Sequence, residues 1–560
     1  MDSKWDGKPF YDRPLGAETE GVDDGRSIVR ITDFSVCQQP EALAEWSLVD
    51  YETDEFSGKL LNAARTAPAP QLTLDLNVSG WYAVYLWLMG GDTLIPRNYL
   101  AYSQVYSESK GPALKLTDDE CFSGWFRTIT HDLMRWPGVE ACFWKYADLT
   151  NQKLTIKHQG HTIYLAAVEL VPLSPAEVEA IQRDREDTSN RRLIIKGDCY
   201  SINNDGTSHN RIFEHLKDRD LFAWIAGTET NSDFLNPGGS DDLRAFIEKL
   251  HGLNAECWVL DRPGLWTHHL FWDDQRARDF DHHPEWHCKE RDGTDTCQCS
   301  YAHPEVIEYM MHRARAIAEH GVYGFGFMFN RDPGLILFEP VAVKAFEEKH
   351  GIDPRTLRDN DPLLLEWRAE VITDFLRQVR KMLDEVAEEK GFERIKMVHI
   401  TLANEAANRL YSFDIPRWIE EGLVDVLVPY PWNEYPEHWL AQGFMYIDVK
   451  YYSELVKGTD VKLFPMWLSG QWYRHWTPEH IRFMDYFKQA KEDYENGADG
   501  IAAWDYVGLL FSFEQDRWMR LGHKDKLDEW IEKDYPLPPR LNFTKYNGKT
   551  VNRFPPGTGG

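Results

Sequence analysis

In the second half of this 560-residue chain, carboxylates and flat aromatic side chains recur together at the ends of short apolar runs. Asp261-Arg262 follows Ala255 to Leu260, Asn330-Arg331-Asp332 follows Tyr323 to Phe329, and Asn404-Glu405 comes just after Lys396 to Leu402. Tyr430, Trp432 and Glu434 come after Leu423 to Val428. Trp467, Gln471 and Trp472 lie at the end of Lys462 to Leu468, and Trp504-Asp505 ends Gly500 to Ala503. Paired carboxylates suit acetal cleavage: one, held protonated, gives its proton to the leaving oxygen while the other attacks or positions water. Flat aromatic side chains supply the apolar face on which a pyranose ring stacks.

Each of these residue types also has a plain structural use. An Asp at a strand end is often a helix N-cap, so Asp198, Glu229 and Asp233 carry little weight. Glu405 is sharper, because Glu caps poorly and packing does not explain an Asn-Glu pair directly after an apolar strand. Arg331 would keep Asp332 ionised, which suits a nucleophile or base, and the same two residues could equally form a structural ion pair.

The elements that position these residues follow from periodicity. From Leu193 the chain alternates apolar runs with amphipathic helices, the pattern of a parallel sheet. The strand candidates are Leu193–Lys196, Leu221–Ala226, Ala255–Leu260, Tyr323–Phe329, Lys396–Leu402, Val424–Val428, Lys462–Leu468 and Gly500–Ala503. This predicts an α/β chain whose residues 193–535 form a (β/α)8 TIM barrel, with the functional residues at the carboxyl ends of the strands. No glycine-rich phosphate motif follows any of the strands, which disfavours dinucleotide and nucleotide binding.

Residues 1–27 read as a polar N-terminal arm and 28–175 as an all-β sandwich of short alternating runs, ancillary and carbohydrate-binding-like. Residues 176–192 form a linker helix with Ser174 as N-cap and Glu177 three positions on, and 536–560 form a C-terminal tail. The net charge of −29, with 62 Lys+Arg against 91 Asp+Glu, repels nucleic acid and anionic membrane. No run is long and apolar enough to span a bilayer. Eight cysteines are too few for a disulfide scaffold. Without a leader the chain reads as cytoplasmic, or as secreted if a signal has been removed.

Between the third and fourth strands, His268, His269, His282, His283, His287, Cys288, Cys297 and Cys299 crowd one insertion. Their spacing matches no standard zinc motif, so no metal or cofactor is assigned.

Taken in order, His283-Pro284-Glu285-Trp286, Ser300 to Met310 (SYAHPEVIEYM), Gly321 to Pro333 (GVYGFGFMFNRDP), Phe338 to Pro354 and Asp414 to Tyr430 resemble the glycoside-hydrolase-like TIM barrels labelled "family 10 glycosyl hydrolase-like". The resemblance covers about Leu193 to Tyr506. It implies a barrel acting on carbohydrate, with an Asp at the end of strand four; here that position is Met328, while Arg331 is retained. Asp332 substitutes for the missing acid, or the chemistry moves to Glu405 with Asp505 or Asp261, or the barrel binds sugar without cleaving it.

The expectation is therefore a glycoside hydrolase of an oligosaccharide or glycoconjugate. Glu405, Asp332, Asp505 and Asp261 are the catalytic candidates; Asn404, Arg331, Arg262, Tyr430, Trp432, Glu434, Trp467, Trp472 and Trp504 are the substrate contacts. The expected partner is carbohydrate, with neither nucleic acid nor membrane, and a homo-oligomer stays open. The alternatives are a non-catalytic carbohydrate-binding protein and a metal-dependent lyase or hydrolase.

Overall fold

The computed structural model describes residues 25–64, 68–90, 111–124, 138–158, 163–197, 213, 216–227, 237–264, 278–330, 334–431, 447–468, 483–504, 520–533 and 540–551. From Leu193 the apolar runs form one curled parallel sheet. Its strands are, in chain order, Leu193–Gly197, Leu221–Gly227, Glu256–Asp261, Gly324–Met328, Lys396–Thr401, Val426–Pro429, the pair Lys462–Leu463 and Met466–Leu468, and Ile501–Trp504. They are called strands one to eight, the pair being strand seven.

Each strand lies parallel to the next, and strand eight returns to strand one, with Ile501 beside Leu193. Strand seven is broken at Pro465, which has no N–H to give to a ladder. Pairing continues around the break: Phe464 N donates to the Leu427 carbonyl (3.0 Å) and Ala502 N to the Pro465 carbonyl (2.9 Å).

Both faces of the sheet are buried, which is why its strands read as apolar runs rather than alternating ones. On the outer face, Ile195, Trp224, Val259 and Phe327 pack with Phe246, Met310, Ile317 and Leu376 of the flanking helices. On the inner face, Ile194, Ile225, Trp258, Val398, Val428 and Met466 pack on one another. Burying each such side chain contributes about 1.5–3 kcal/mol. Strands four and five approach closely at Gly326, where a β-carbon would stand 1.7 Å from the Val398 carbonyl oxygen, so no larger residue fits.

The N-terminal part is antiparallel. One sheet of eight strands includes Ser47–Thr53, Ser57–Ala63, Trp81–Gly90, Gly138–Asp148 and Ile163–Pro172; a second has three, Leu72–Asp75, Ala113–Leu116 and Lys153–Lys157. Leu74, Leu114 and Ile156 of the small sheet share an apolar core with Leu61, Leu86 and Val168 of the large one. The region expected to be a C-terminal tail instead supplies a strand: Arg540–Tyr546 pairs with Ser47–Thr53 and Gly138–Asp148. Its alternation drives this, since Leu541 and Phe543 point into the core of the large sheet.

The linker helix, Pro175–Glu186, has the expected capping box: Ser174 N donates to Glu177 Oε2 (2.7 Å) and Glu177 N to Ser174 Oγ (3.3 Å). Its last turn enters a buried cluster of charges. Arg185 holds Asp218 with two bonds (2.5 and 3.1 Å), and Arg520 pairs with Asp184. His523 donates from Nδ1 to Asp220 (2.7 Å) and from Nε2 to Asp184 (2.7 Å). Burial alone would lower the His523 pKa, but the hydrogen bonds to the two carboxylates override it and raise it to about 9.

Because the folded pKa lies above the unfolded value of about 6.5, the stabilisation by His523 is complete below pH 6.5 and is lost as pH rises through about 9. Differential scanning calorimetry should show the wild-type Tm falling between pH 7 and pH 9.5 more steeply than that of His523→Gln. Parallel curves would remove this role.

Candidate functional site

The inner face changes character toward the carboxyl ends of the strands. Along strand one the inward residues are Ile194 and then Lys196, and along strand eight Ala502 and then Trp504. The fully buried Lys196 ammonium sits 4.0 Å from the centre of the Trp504 ring, within cation–π range. Trp504 meets Tyr430, two residues past the inward Val428 of strand six, with ring centroids 4.9 Å apart and planes at 61°. On strand three, Arg262 continues the inward series Trp258, Leu260 and is buried.

On strand four the inward series is Gly324, Gly326, Met328, followed by Asn330. Met328 is buried in the inner apolar layer, so the position where the resemblance implies an acid is filled by packing.

Several nominated residues have other partners. The Asp261 carboxylate faces outward to Arg313 of the helix Pro304–Ala318, which holds both oxygens (Nε to Oδ2 2.9 Å, Nη2 to Oδ1 3.1 Å), with both side chains buried. Burial would lower the Arg313 pKa, and Asp261 outweighs it and raises it. This is a buried structural ion pair, costly to break from either side. Asn404 is the N-cap of a short helix, Glu405–Leu410, accepting from Ala407 N (2.9 Å). Glu405 is the first residue of that helix, where its charge suits the helix dipole; its side chain is 56% exposed and lies 3.9 Å from Arg409. An Asn followed by Glu at a strand end is thus a helix start, which corrects the expectation that packing could not account for the pair.

Trp467 follows the inward Met466 and so faces outward, where its Nε1 donates to Asp493 Oδ2 (2.9 Å) and its ring stacks near Tyr486 (6.1 Å). Asp332, Arg331, Asp505, Trp432, Glu434 and Trp472 lie outside the described residues. Of the nominated residues, the structure brings Tyr430 and Trp504 together and gives Asn404, Asp261 and Trp467 other partners. Lys196 was overlooked; its signal was a cation ending an apolar strand in the inward phase.

No protein-family model matches the chain, and no curated protein does. Among solved structures, the catalytic domain of β-amylase from Paenibacillus polymyxa is similar at 12% identity and a TM-score of 0.43, over 62% of this chain and 99% of that one. The glycoside hydrolase domain of PgaB from Bordetella bronchiseptica gives 14% identity and a TM-score of 0.39, over 59% and 97%. An α-galactosidase from Thermus thermophilus gives 10% and 0.35, over 85% and 95%.

The insertion rich in His and Cys forms a hairpin, His287–Lys289 with Asp295–Cys299. There, His283 stacks on Trp286 (3.8 Å) and His287 donates from Nε2 to the Phe280 carbonyl (2.9 Å). Among the described residues no three His, Cys, Asp or Glu side chains gather as metal ligands. No described helix is long and apolar enough to cross a membrane.

Burial raises the Asp493 pKa to about 7, against the hydrogen bonds from Gln489 and Trp467 that favour its ionised form. The folded state therefore holds a proton that the unfolded state releases near pH 4, and stability falls as pH rises from there through about 7. Asp493→Asn should raise Tm at pH 8 and leave it unchanged at pH 4 in thermal melts. A lower Tm at pH 8 would contradict this.

Proposed function

We propose that the chain is a glycoside hydrolase working at the carboxyl ends of a closed (β/α)8 barrel, with the two antiparallel sheets as an ancillary β-sandwich. The return of strand eight to strand one, and the pairing on both sides of the broken strand seven, support the barrel reading. One observation carries the functional reading: at those strand ends a buried ammonium, Lys196, and two aromatic rings, Trp504 and Tyr430, form a contiguous inward set. A sugar has hydroxyl edges and apolar C–H faces, and such a set complements both.

The carboxylate pair is best assigned to Asp505 and Asp332. Asp505 directly follows Trp504 in the chain, and Asp332 follows Asn330 by two residues. Asp261 is withdrawn because Arg313 holds both of its oxygens, and Glu405 ranks below the pair because its side chain is 56% exposed at a helix start. A positive charge such as Lys196 favours the ionised form of a neighbouring carboxylate, as a nucleophile or base needs, while the partner acid protonates the leaving oxygen. Arg262, Arg331, Trp432, Glu434 and Trp472 are retained as substrate contacts. The ligand is a carbohydrate.

With p-nitrophenyl glycosides as probes, Asp505→Asn and Asp332→Asn should each lower kcat by about 10²–10⁴-fold, while Glu405→Gln stays within about twofold. Loss of turnover in Glu405→Gln alone would return the acid/base role to that residue. Met328, packed where an acid is implied, favours a second reading, a barrel that binds sugar without cleaving it. Calorimetric sugar binding with no release of reducing ends, in wild type, would select it.

A further inference from the structure

We infer that Asn330 reads the hydroxyl pattern of the sugar ring held at the strand ends, a role that rests on the carbohydrate reading above and makes the substrate one with two adjacent free hydroxyls. Asn330 is fully buried, and neither its Oδ1 nor its Nδ2 finds a hydrogen-bond partner among the described residues. Buried amides are almost always paired, and this chain shows what a structural one looks like. Asn408, equally buried, accepts from Leu402 N (3.1 Å) and donates to the Asn404 carbonyl (2.9 Å) and Tyr452 Oη (2.6 Å). Asn330 has a donor and an acceptor in one plane and uses neither among the described residues.

Its level matches that of the aromatic set. Met328 of strand four pairs with Ile400, and Ile400 with Val428 of strand six, so two residues further along lie Asn330 and Tyr430. The ladder persists past both strand ends: Phe329 N donates to the Ile400 carbonyl (2.9 Å) and Tyr430 N to the Thr401 carbonyl (2.9 Å). Phe325, Phe327 and Phe329 lie in the outer layer, which leaves Asn330 in the inward phase after Met328. A planar amide is matched by two neighbouring hydroxyls, one accepting from Nδ2 and one donating to Oδ1. The rings of Tyr430 and Trp504 meet at the same end of the sheet.

The test uses the full chain with Asn330→Leu, and Asn330→Ala as companion should leucine not fit. Because the amide has no partner among the described residues, the variant should melt about 2 °C or more above wild type. A variant that melts several degrees lower has lost structural hydrogen bonds, and the inference falls. On whichever member of a p-nitrophenyl glycopyranoside panel wild type cleaves fastest, the variant should lose at least about 100-fold in kcat/KM. On the matching monodeoxy glycosides, wild type and variant should become nearly equal at one of two adjacent positions. Equal kcat/KM on the parent glycoside overturns the assignment to Asn330 and leaves the glycosidase reading standing. If wild type neither cleaves any panel member nor gains Tm with the free monosaccharides, the carbohydrate reading fails, and with it the sugar role of Asn330.

Discussion

Burial of the parallel strands on both faces is the constraint from which the rest follows. Once the outer face packs on helices and the inner face on itself, each strand residue is committed to one side, and a shift of one residue would exchange the two layers. Close approach at Gly326 and the break in strand seven at Pro465 are the local concessions to this packing. The same alternation decides which side chains emerge at the carboxyl ends on the inside. It sends Lys196, Trp504 and Tyr430 inward, and Asp261 and Trp467 outward to helix partners.

The antiparallel and parallel parts are tied by charge, with Arg185 of the linker helix bonding both the Tyr146 carbonyl and Asp218. Asp184, Arg185, Asp218, Asp220, Arg520 and His523 come from the linker helix, the approach to strand two and the segment after strand eight. Buried charges are expensive unless each finds an opposite partner, so the cluster sets the position of the linker helix against the sheet. The closing strand Arg540–Tyr546 adds a second tie, carrying the chain's end back into the first sheet. Such joining of distant segments means that the antiparallel part is completed only after the parallel part has been made.

Two buried asparagines show how a fold and a site differ in the use of the same side chain. Asn408 is consumed by four bonds that fix the turn after strand five. Asn330, at the end of strand four, is shielded to the same degree, and its amide has no partner among the described residues. Polar groups retained in this state are where local stability is surrendered for recognition. With a cation and two rings in the same inward layer, the end of the sheet is chemically unlike its apolar middle.

Much of the architecture was legible in the amino-acid sequence. Apolar runs ending in polar residues marked all the parallel strands, the Ser174-Glu177 spacing marked the capped helix, and the strand-end positions of Tyr430 and Trp504 marked part of the candidate site. These features are local, governed by backbone periodicity and by bonds between residues three or four apart. Partners were not legible. Glu405 reads in sequence as a poor cap and so as a catalyst, whereas the fold gives the cap to Asn404 and the pairing to Arg409; Asp261 is taken by Arg313, far along the chain. The alternation Leu541, Phe543 was visible, but its meaning depended on an edge supplied by residues near 50 and 140. A carboxylate's chemistry depends on which charges and donors surround it, and those neighbours are assembled from distant segments that only the tertiary structure brings together.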